Sequence, residues 1–539
     1  MGRTSWVLLF LLEIPVLLPR DCLAHTWYLS NSGNDRASGS SRAHPWKTIS
    51  RLEVTSFGPG DTILFRGGDR FSGTLKVGPF IPNRPEHSLV LGSYGNGRAI
   101  INGGDGDAIF AHNAPGLVVR DLILEGSGIA TNRGSGLDCY SDDSLREISN
   151  LRIVHCMAHG FRNFGFVFWT PASAAVRGFR HVRILGCEAS GNGEAGIASF
   201  AGYQAGFVHR DFYLSGCRVH DNPGIREQTS RHSGNGIVLG SVDQVVITHC
   251  EAWNNGRDNT CDAGGPVGIW VWLCHGARID HCISHDNHTS SLKDGGGFDI
   301  DGGSSDCLVQ YNYSYGNDGA GYLLAEYGAV LPFRDNLIRY NISLDDGRKN
   351  GYGGITLWSA DSLFQVTQSR VSHNLILCGP VSREQSRASA LLLMGAHFSG
   401  VRICDNVFLS WGGSLLVGGD LPVDTGKAWF TCNYYQGWGK ADSLVRWEGK
   451  PFSLEDWVRD FHQEMGRVDA ATWFSGREVH FPKEYSGTFP PELLGSHPRP
   501  LRCPGGCPAA FPAGMAPASN DYFGRPISGR RDFIGISPW

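Results

Sequence analysis

One line of sequence returns down most of this chain: LRIVHCMAHG, VRILGCEASGN, FYLSGCRVHDN, VVITHCEAWNN, ARIDHCISHDN, LVQYNYSYGN. Its marked position is Cys156, Cys187, Cys217, Cys250 and Cys282, then Asn312, Asn341, Asn374, Asn406 and Asn433. The successive steps are 31, 30, 33, 32, 30, 29, 33, 32 and 27 residues. A second line follows in each repeat: GFVFW, GIASF, GIVLG, GIWVW, GFDID, GYLLA, GITLW. Both lines alternate apolar and variable residues, the period of a strand. A unit of about thirty residues with short strands cannot bury its apolar face alone, so it must stack on its neighbours as a solenoid. The expected fold is all-β, a right-handed parallel β-helix. Leucine-rich repeats have a shorter period, and propeller blades need longer antiparallel strands.

Stacking turns repeats into columns, with equivalent residues about 4.8 Å apart. The cysteines of the first column read as small core hydrophobes rather than disulfides. Cys261 with Cys274, and Cys503 with Cys507, are the better candidates for pairing. Asn192, Asn222, Asn255, Asn287 and Asn317 form a second column, where asparagine suits left-handed turns and can bond along a ladder of its own kind. Asn312 and Asn341 match glycosylation sequons inside the solenoid, which leaves Asn287 as the sequon expected to be open.

The ends differ from the repeat. Residues 1–24 hold an early Arg3, an apolar run and Ala24, the pattern of a signal peptide, so the chain is expected to be secreted or periplasmic. Residues 25–100 read as an N-terminal cap with a short helix and the first rungs, 101–440 as the β-helix, and 441–539 as a C-terminal cap region containing the Ser-capped helical pattern SLEDWVRDF. In 539 residues the formal net charge is -5, which gives no basis for binding nucleic acid or an anionic membrane. No later segment suits a membrane span, and the chain is expected to be a monomer.

The second line places two carboxylates. In GFDID, Phe298 and Ile300 fall in the inward column, so Asp299 and Asp301 point outward. Trp270, Trp272 and Trp358 occupy the same outward columns on neighbouring rungs. Aromatic faces beside carboxylates suit a sugar site, because rings stack on pyranose C–H faces while acids handle protons. Loop lengths point to the same place. Three residues separate the turn asparagine from the next strand after Asn192 and Asn317, but thirteen, twelve and nine do so after Asn222, Asn255 and Asn287. These consecutive loops would wall one side of the acids, and they carry Arg226, Arg231, His232, Arg257, Asp262, Lys293 and Asp294. His285 and Tyr315, ending the preceding strands, join Lys293 and Asp294 as candidate substrate contacts. No cofactor is assigned. Calcium is the one cation that Asp294, Asp299, Asp301 and Asp318 would suit, and no zinc signature is present.

The stretch GFDIDGGSSDCLVQYNYSYGNDGAGYLL resembles the cleft-lining rungs of the pectate-lyase-like superfamily, which implies a β-helix acting on polysaccharide. It departs from the calcium-dependent lyase pattern: Asp301 stands where a lysine base would fall, and Gly319 and Ala320 where paired acids would be. The chain is also similar to β-helix glycoside hydrolases, which use two carboxylates. Asp299 and Asp301 have anchor points roughly 6.6 Å apart, the spacing of an inverting pair. Either aspartate with Glu326 on the next rung would be about 5 Å apart, the spacing of a retaining pair. Asp299, Asp301 and Glu326 are therefore the candidate catalytic residues. The expected activity is hydrolysis of a polysaccharide or oligosaccharide, with uronate elimination by a lyase and non-catalytic glycan binding as alternatives.

Overall fold

The computed structural model describes residues 24–55, 57–80, 88–172, 176–201, 206–380, 388–419, 421–423, 427–438 and 444–461. The expected leader and Cys503 with Cys507 lie outside these residues, as does most of the expected C-terminal cap.

The repeat folds as its period requires. Three long sheets of 14, 14 and 13 strands run the length of the solenoid, and each strand pairs with the equivalent strand of the next rung. The rung-to-rung pairings are parallel, and Val445–Trp447 with Lys450–Phe452 is an antiparallel pair. The site sheet carries the second repeat line, with Ile269, Phe298, Tyr322 and Ile355 in register and buried in one continuous core. At the entry end, the strand Thr26–Leu29 pairs with Thr62–Arg66, and the short helix Ser50–Glu53 turns Leu52 inward. Near the other end, Ser453 caps the helix Leu454–Phe461 through Asp456 N at 3.0 Å, and Trp457 packs against Phe430 and Trp447. No helix among the described residues is long and apolar enough to cross a membrane.

One corner of each rung is built by a left-handed residue. His155, Gly186, Gly216, His249, His281, Tyr311, Tyr340, His373, Asp405 and Cys432 all have φ between 50° and 64°. Each immediately precedes a member of the cysteine–asparagine column, so the chain turns there and the following side chain points inward. Cys156, Cys187, Cys217, Cys250 and Cys282 are buried free thiols. Where asparagine takes over, each amide serves two rungs: Asn341 Nδ2 donates to Val309 O at 2.9 Å and to Asn374 Oδ1 at 3.0 Å. The second ladder runs Asn192, Asn222, Asn255, Asn287, Asn317 and ends on Asp346, whose Oδ1 accepts from Asn317 Nδ2 at 2.7 Å. The buried amides of these two columns are thus satisfied along the solenoid axis.

Two expectations are corrected. Cys261 and Cys274 are separate, buried, free thiols and do not pair. Asn287 is 1 % exposed, and its Nδ2 donates to Asn317 Oδ1 and Ser284 Oγ, so the NHT sequence is a ladder rung closed to glycosylation.

Candidate active site

The outward face of the site sheet carries two columns. Val238, Trp270, Asp299, Leu323 and Thr356 are in register along one, and Gly240, Trp272 and Asp301 along the other, continuing past Ala325 to Trp358. Gly240 is there because the Trp272 indole lies over it: a Cβ would meet Trp272 Nε1 at 2.3 Å. The long loops after Asn222, Asn255 and Asn287 rise beside this face and enclose a cavity of about 660 Å³. They touch so closely that a Cβ on Gly265 would meet Lys293 O at 2.4 Å. Trp270, Trp272, Trp358, Asp294, Asp299 and Asp301 all line the cavity.

Three carboxylates share this space under different constraints. Asp299 is 4 % exposed, and among the described residues its buried Oδ1 has no hydrogen-bond partner. Burial pushes its carboxyl well above the usual range, and the nearby charges of Asp301 and Asp294 push the same way. Asp301 is half-buried at the end of the strand Gly296–Asp301. Burial raises it strongly too; the Gly302 N–H favours its anion, while Asp294 and Glu326 oppose it. Asp294 reaches in from the loop wall. Its Oδ1 accepts from the Tyr352 hydroxyl at 2.9 Å and its Oδ2 from Gly265 N at 2.8 Å. The segment that brings Tyr352 also binds the Asp294 loop through Lys349 Nζ to Thr289 O, and through Asn350 Nδ2 to Ser291 O at 3.2 Å. Burial and neighbouring like charges therefore hold both Asp299 and Asp301 above the ordinary carboxylate range.

The family described as "right handed beta helix region" matches residues 98–272, 170–338 and 225–376. The chain belongs to this right-handed β-helix family. It is 24% identical over 420 aligned residues to a lacto-N-biosidase of Bifidobacterium longum subsp. longum, covering 60% of this chain and 26% of that protein. The chain thus spans about a quarter of the length of that curated relative. It is also similar to the crystal structure of a lacto-N-biosidase from Eubacterium ramulus, with a TM-score of 0.52, 17% identity, and coverage of 77% of this chain and 68% of that one. The selenomethionine derivative of the same enzyme gives a TM-score of 0.50. At this identity the likeness is one of fold.

The β-helix places the other candidate residues unevenly. Glu326 is 2 % exposed and turned away from the cavity. Its Oε2 accepts from Gly303 N at 3.0 Å, and its Oε1 from Gly328 N at 2.8 Å and Ala329 N at 3.0 Å. The reason is strand parity: Leu323 and Ala325 face outward, so Glu326 falls on the other side and pins the loops that follow. His285 and Tyr315 lie on a different sheet, in a stack where His220 and Trp253 precede them, with ring centroids 4.1, 5.9 and 4.4 Å apart. Burial works against a charge on His285, but hydrogen bonds to Asp286 and Glu251 outweigh it and hold the imidazole above its ordinary value. Neither His285 nor Tyr315 lines the cavity. Lys293 stands exposed at the rim.

Of the wall residues, Arg231, His232 and Asp262 line the cavity, while Arg226 pairs with Asp258 at 2.6 Å. Glu194, Asn235 and Tyr352 also line it, and the repeat pattern gave no signal for them. Glu194 lies in one of the three-residue loops, and Tyr352 in the loop of residues 347–352, outside the three long loops. Among the described residues no group of three His, Cys, Asp or Glu is placed to hold a metal ion. Of the four aspartates suited to calcium, Asp294 is tied to Tyr352 and Gly265, and Asp318 accepts from Thr289 N at 3.0 Å.

Proposed function

We propose that the protein is a glycoside hydrolase acting on a neutral oligosaccharide or polysaccharide in the cavity over Asp301. The observation that carries this reading is the meeting of Asp294, Asp299 and Asp301 in one enclosed space lined by three tryptophans. The likeness to a lacto-N-biosidase of Bifidobacterium longum supports it. Two carboxylates must flank a scissile glycosidic bond. Asp299 and Asp301 stand on one face of one strand, so a sugar lying on that face has both on the same side. Asp294 approaches from the wall and supplies the second side. Asp301, with the Gly302 N–H beside it, is the nucleophile or base. Asp294, oriented by Tyr352 and Gly265, handles the proton of the leaving oxygen. Asp299 lies on the same face as Asp301, and burial favours its neutral form. The tryptophans hold the sugar faces.

The charge balance favours a neutral substrate over a uronate. Glu194, Asp262, Asp294, Asp299 and Asp301 face the cavity, against Arg231 and Lys293, and Arg231 is bound to Glu194 at 2.5 Å. A lyase acting on uronates needs cations free to neutralise the acid. The protein should release reducing sugar from neutral oligosaccharides in a substrate panel, with Asp294→Asn and Asp301→Asn both inactive. Unsaturated uronide products would overturn the reading in favour of a lyase. Binding without turnover would leave only a glycan-binding solenoid. Export, expected from the leader ending near Ala24, completes the proposal. A secreted product beginning close to His25 supports it, and a full-length chain retained in the cell counts against it.

A further inference from the structure

Beside the acids, over Trp270, the cavity wall contains a chain of hydrogen bonds whose direction is determined at every link. The Trp270 indole and the Val267 amide can only donate. Both meet Asn235 Oδ1, at 3.1 and 3.3 Å. The Asn235 carboxamide is thereby oriented, and its NH2 points at Glu194 O and His232 Nδ1, each at 3.3 Å. Nδ1 of His232 must therefore accept, so the neutral ring carries its proton on Nε2. A proton on both nitrogens would set Nδ1–H against the Asn235 NH2. Burial also disfavours the imidazolium, against the pull of Asp294 and Glu194. The His232 ring lines the cavity with its centroid 5.6 Å from that of Trp270, and its Cδ2 edge faces Gly264. Among the described residues, no hydrogen bond is made to His232 Nε2.

We propose that His232, Asn235 and Trp270 form a sugar-binding subsite, in which His232 Nε2–H donates to a hydroxyl or carbonyl oxygen of a neutral sugar whose apolar face lies against Trp270. The proposal rests on the glycoside hydrolase reading and adds the group that reads the sugar. A chain of fixed donors leaves one donor aimed at the ligand, so the subsite selects an acceptor at one position of the ring. It takes no part in bond breaking. Its loss weakens binding and spares the chemical step.

Steady-state kinetics on the best neutral oligosaccharide, with thermal melting to verify folding, test this. His232→Ala should raise KM roughly tenfold, the worth of one hydrogen bond in a dry site, with kcat changed by less than about threefold. His232→Gln, which keeps a neutral donor, should recover part of the loss. Trp270→Phe keeps a smaller aromatic face and deletes the N–H that orients Asn235; it should raise KM in the same direction by a smaller factor, and it serves if His232→Ala fails to fold. Monodeoxy sugars should identify one position whose loss costs the wild type but not His232→Ala, the signature of a direct pair. An unchanged KM in both His232→Ala and Trp270→Phe, or a fall in kcat alone, overturns the subsite. Calorimetry on the Asp301→Asn variant separates the two readings. If no neutral oligosaccharide is cleaved by the wild type or bound by that variant, the hydrolase reading itself falls. If binding is retained and is equal with and without His232, the subsite alone falls.

Discussion

Asp138 and Asp299 occupy the same outward column of the same sheet, connected in register through Val167, Ala198, Val238 and Trp270. Each has a tryptophan nearby, and burial raises the carboxyl of each. They differ in where the indole N–H goes. Trp169 donates to Asp138 Oδ1 at 2.7 Å, which moderates the effect of burial and leaves the carboxyl at about 7. Trp270 donates instead to Asn235, and Asp299 Oδ1 has no partner among the described residues while Asp301 and Asp294 add their charges. An acid beside an aromatic ring on this face is therefore not a site in itself. At Asp138 the pair is a closed structural contact. At Asp299 the tryptophan on the adjacent rung donates elsewhere, and the acid belongs to a cluster around a cavity.

The largest effect that could break this contrast is on turnover. Asp301→Asn should lower kcat/KM by about 10²- to 10⁴-fold, the usual worth of a positioned acid or base, whereas Asp138→Asn should stay within roughly twofold of wild type. Equal losses at both positions would end the distinction. Next comes stability against pH. Both carboxyls are raised in the folded state, so each contributes stability that is fully present below the unfolded value near 3.8 and is lost as pH rises through the folded value. For Asp138 the window runs from about 3.8 to about 7 and is worth at most about 4 kcal/mol. Asp138→Asn should flatten the fall of melting temperature over that window, and Asp299→Asn should flatten it to higher pH. A melting temperature that falls no more steeply in wild type than in the variants over this window would contradict both. Trp169→Phe sharpens the comparison further. It strips Asp138 of its donor, as Asp299 is stripped, and should cost about 1–3 kcal/mol above neutral pH by denaturant titration with turnover unaffected. The smallest expected effect is that of a chelator. Dialysis against EDTA should leave turnover unchanged, and a loss restored by calcium would bring a metal into the site.

Much of the fold could be read from the chain because a solenoid repeats local information. The thirty-residue period set the stacking, and the alternation within GFDID put Phe298 and Ile300 in the core and Asp299 and Asp301 outside. The asparagine columns were legible for the same reason, since translation along the axis brings like beside like. The reading was poorer wherever a side chain left the strand. Asn287 has an open-looking sequon and is a closed ladder rung. His285 and Tyr315 each end the strand that comes before the site-sheet strand of their own rung, yet a corner places them on another sheet.

By itself, the sequence determined the architecture, the columns and the face on which two aspartates and three tryptophans meet, because strand parity and rung spacing act over a few residues and then repeat. Only the tertiary structure decided which acids form the cluster. The Asp294–Tyr352 bond spans 58 positions, Glu326 turns onto the backbone of the loops that follow it, and Asn235 takes the Trp270 donor that would otherwise be free for a neighbour. Each is a choice of hydrogen-bond partner between loops of different rungs, and neither period nor parity carries from one loop to another.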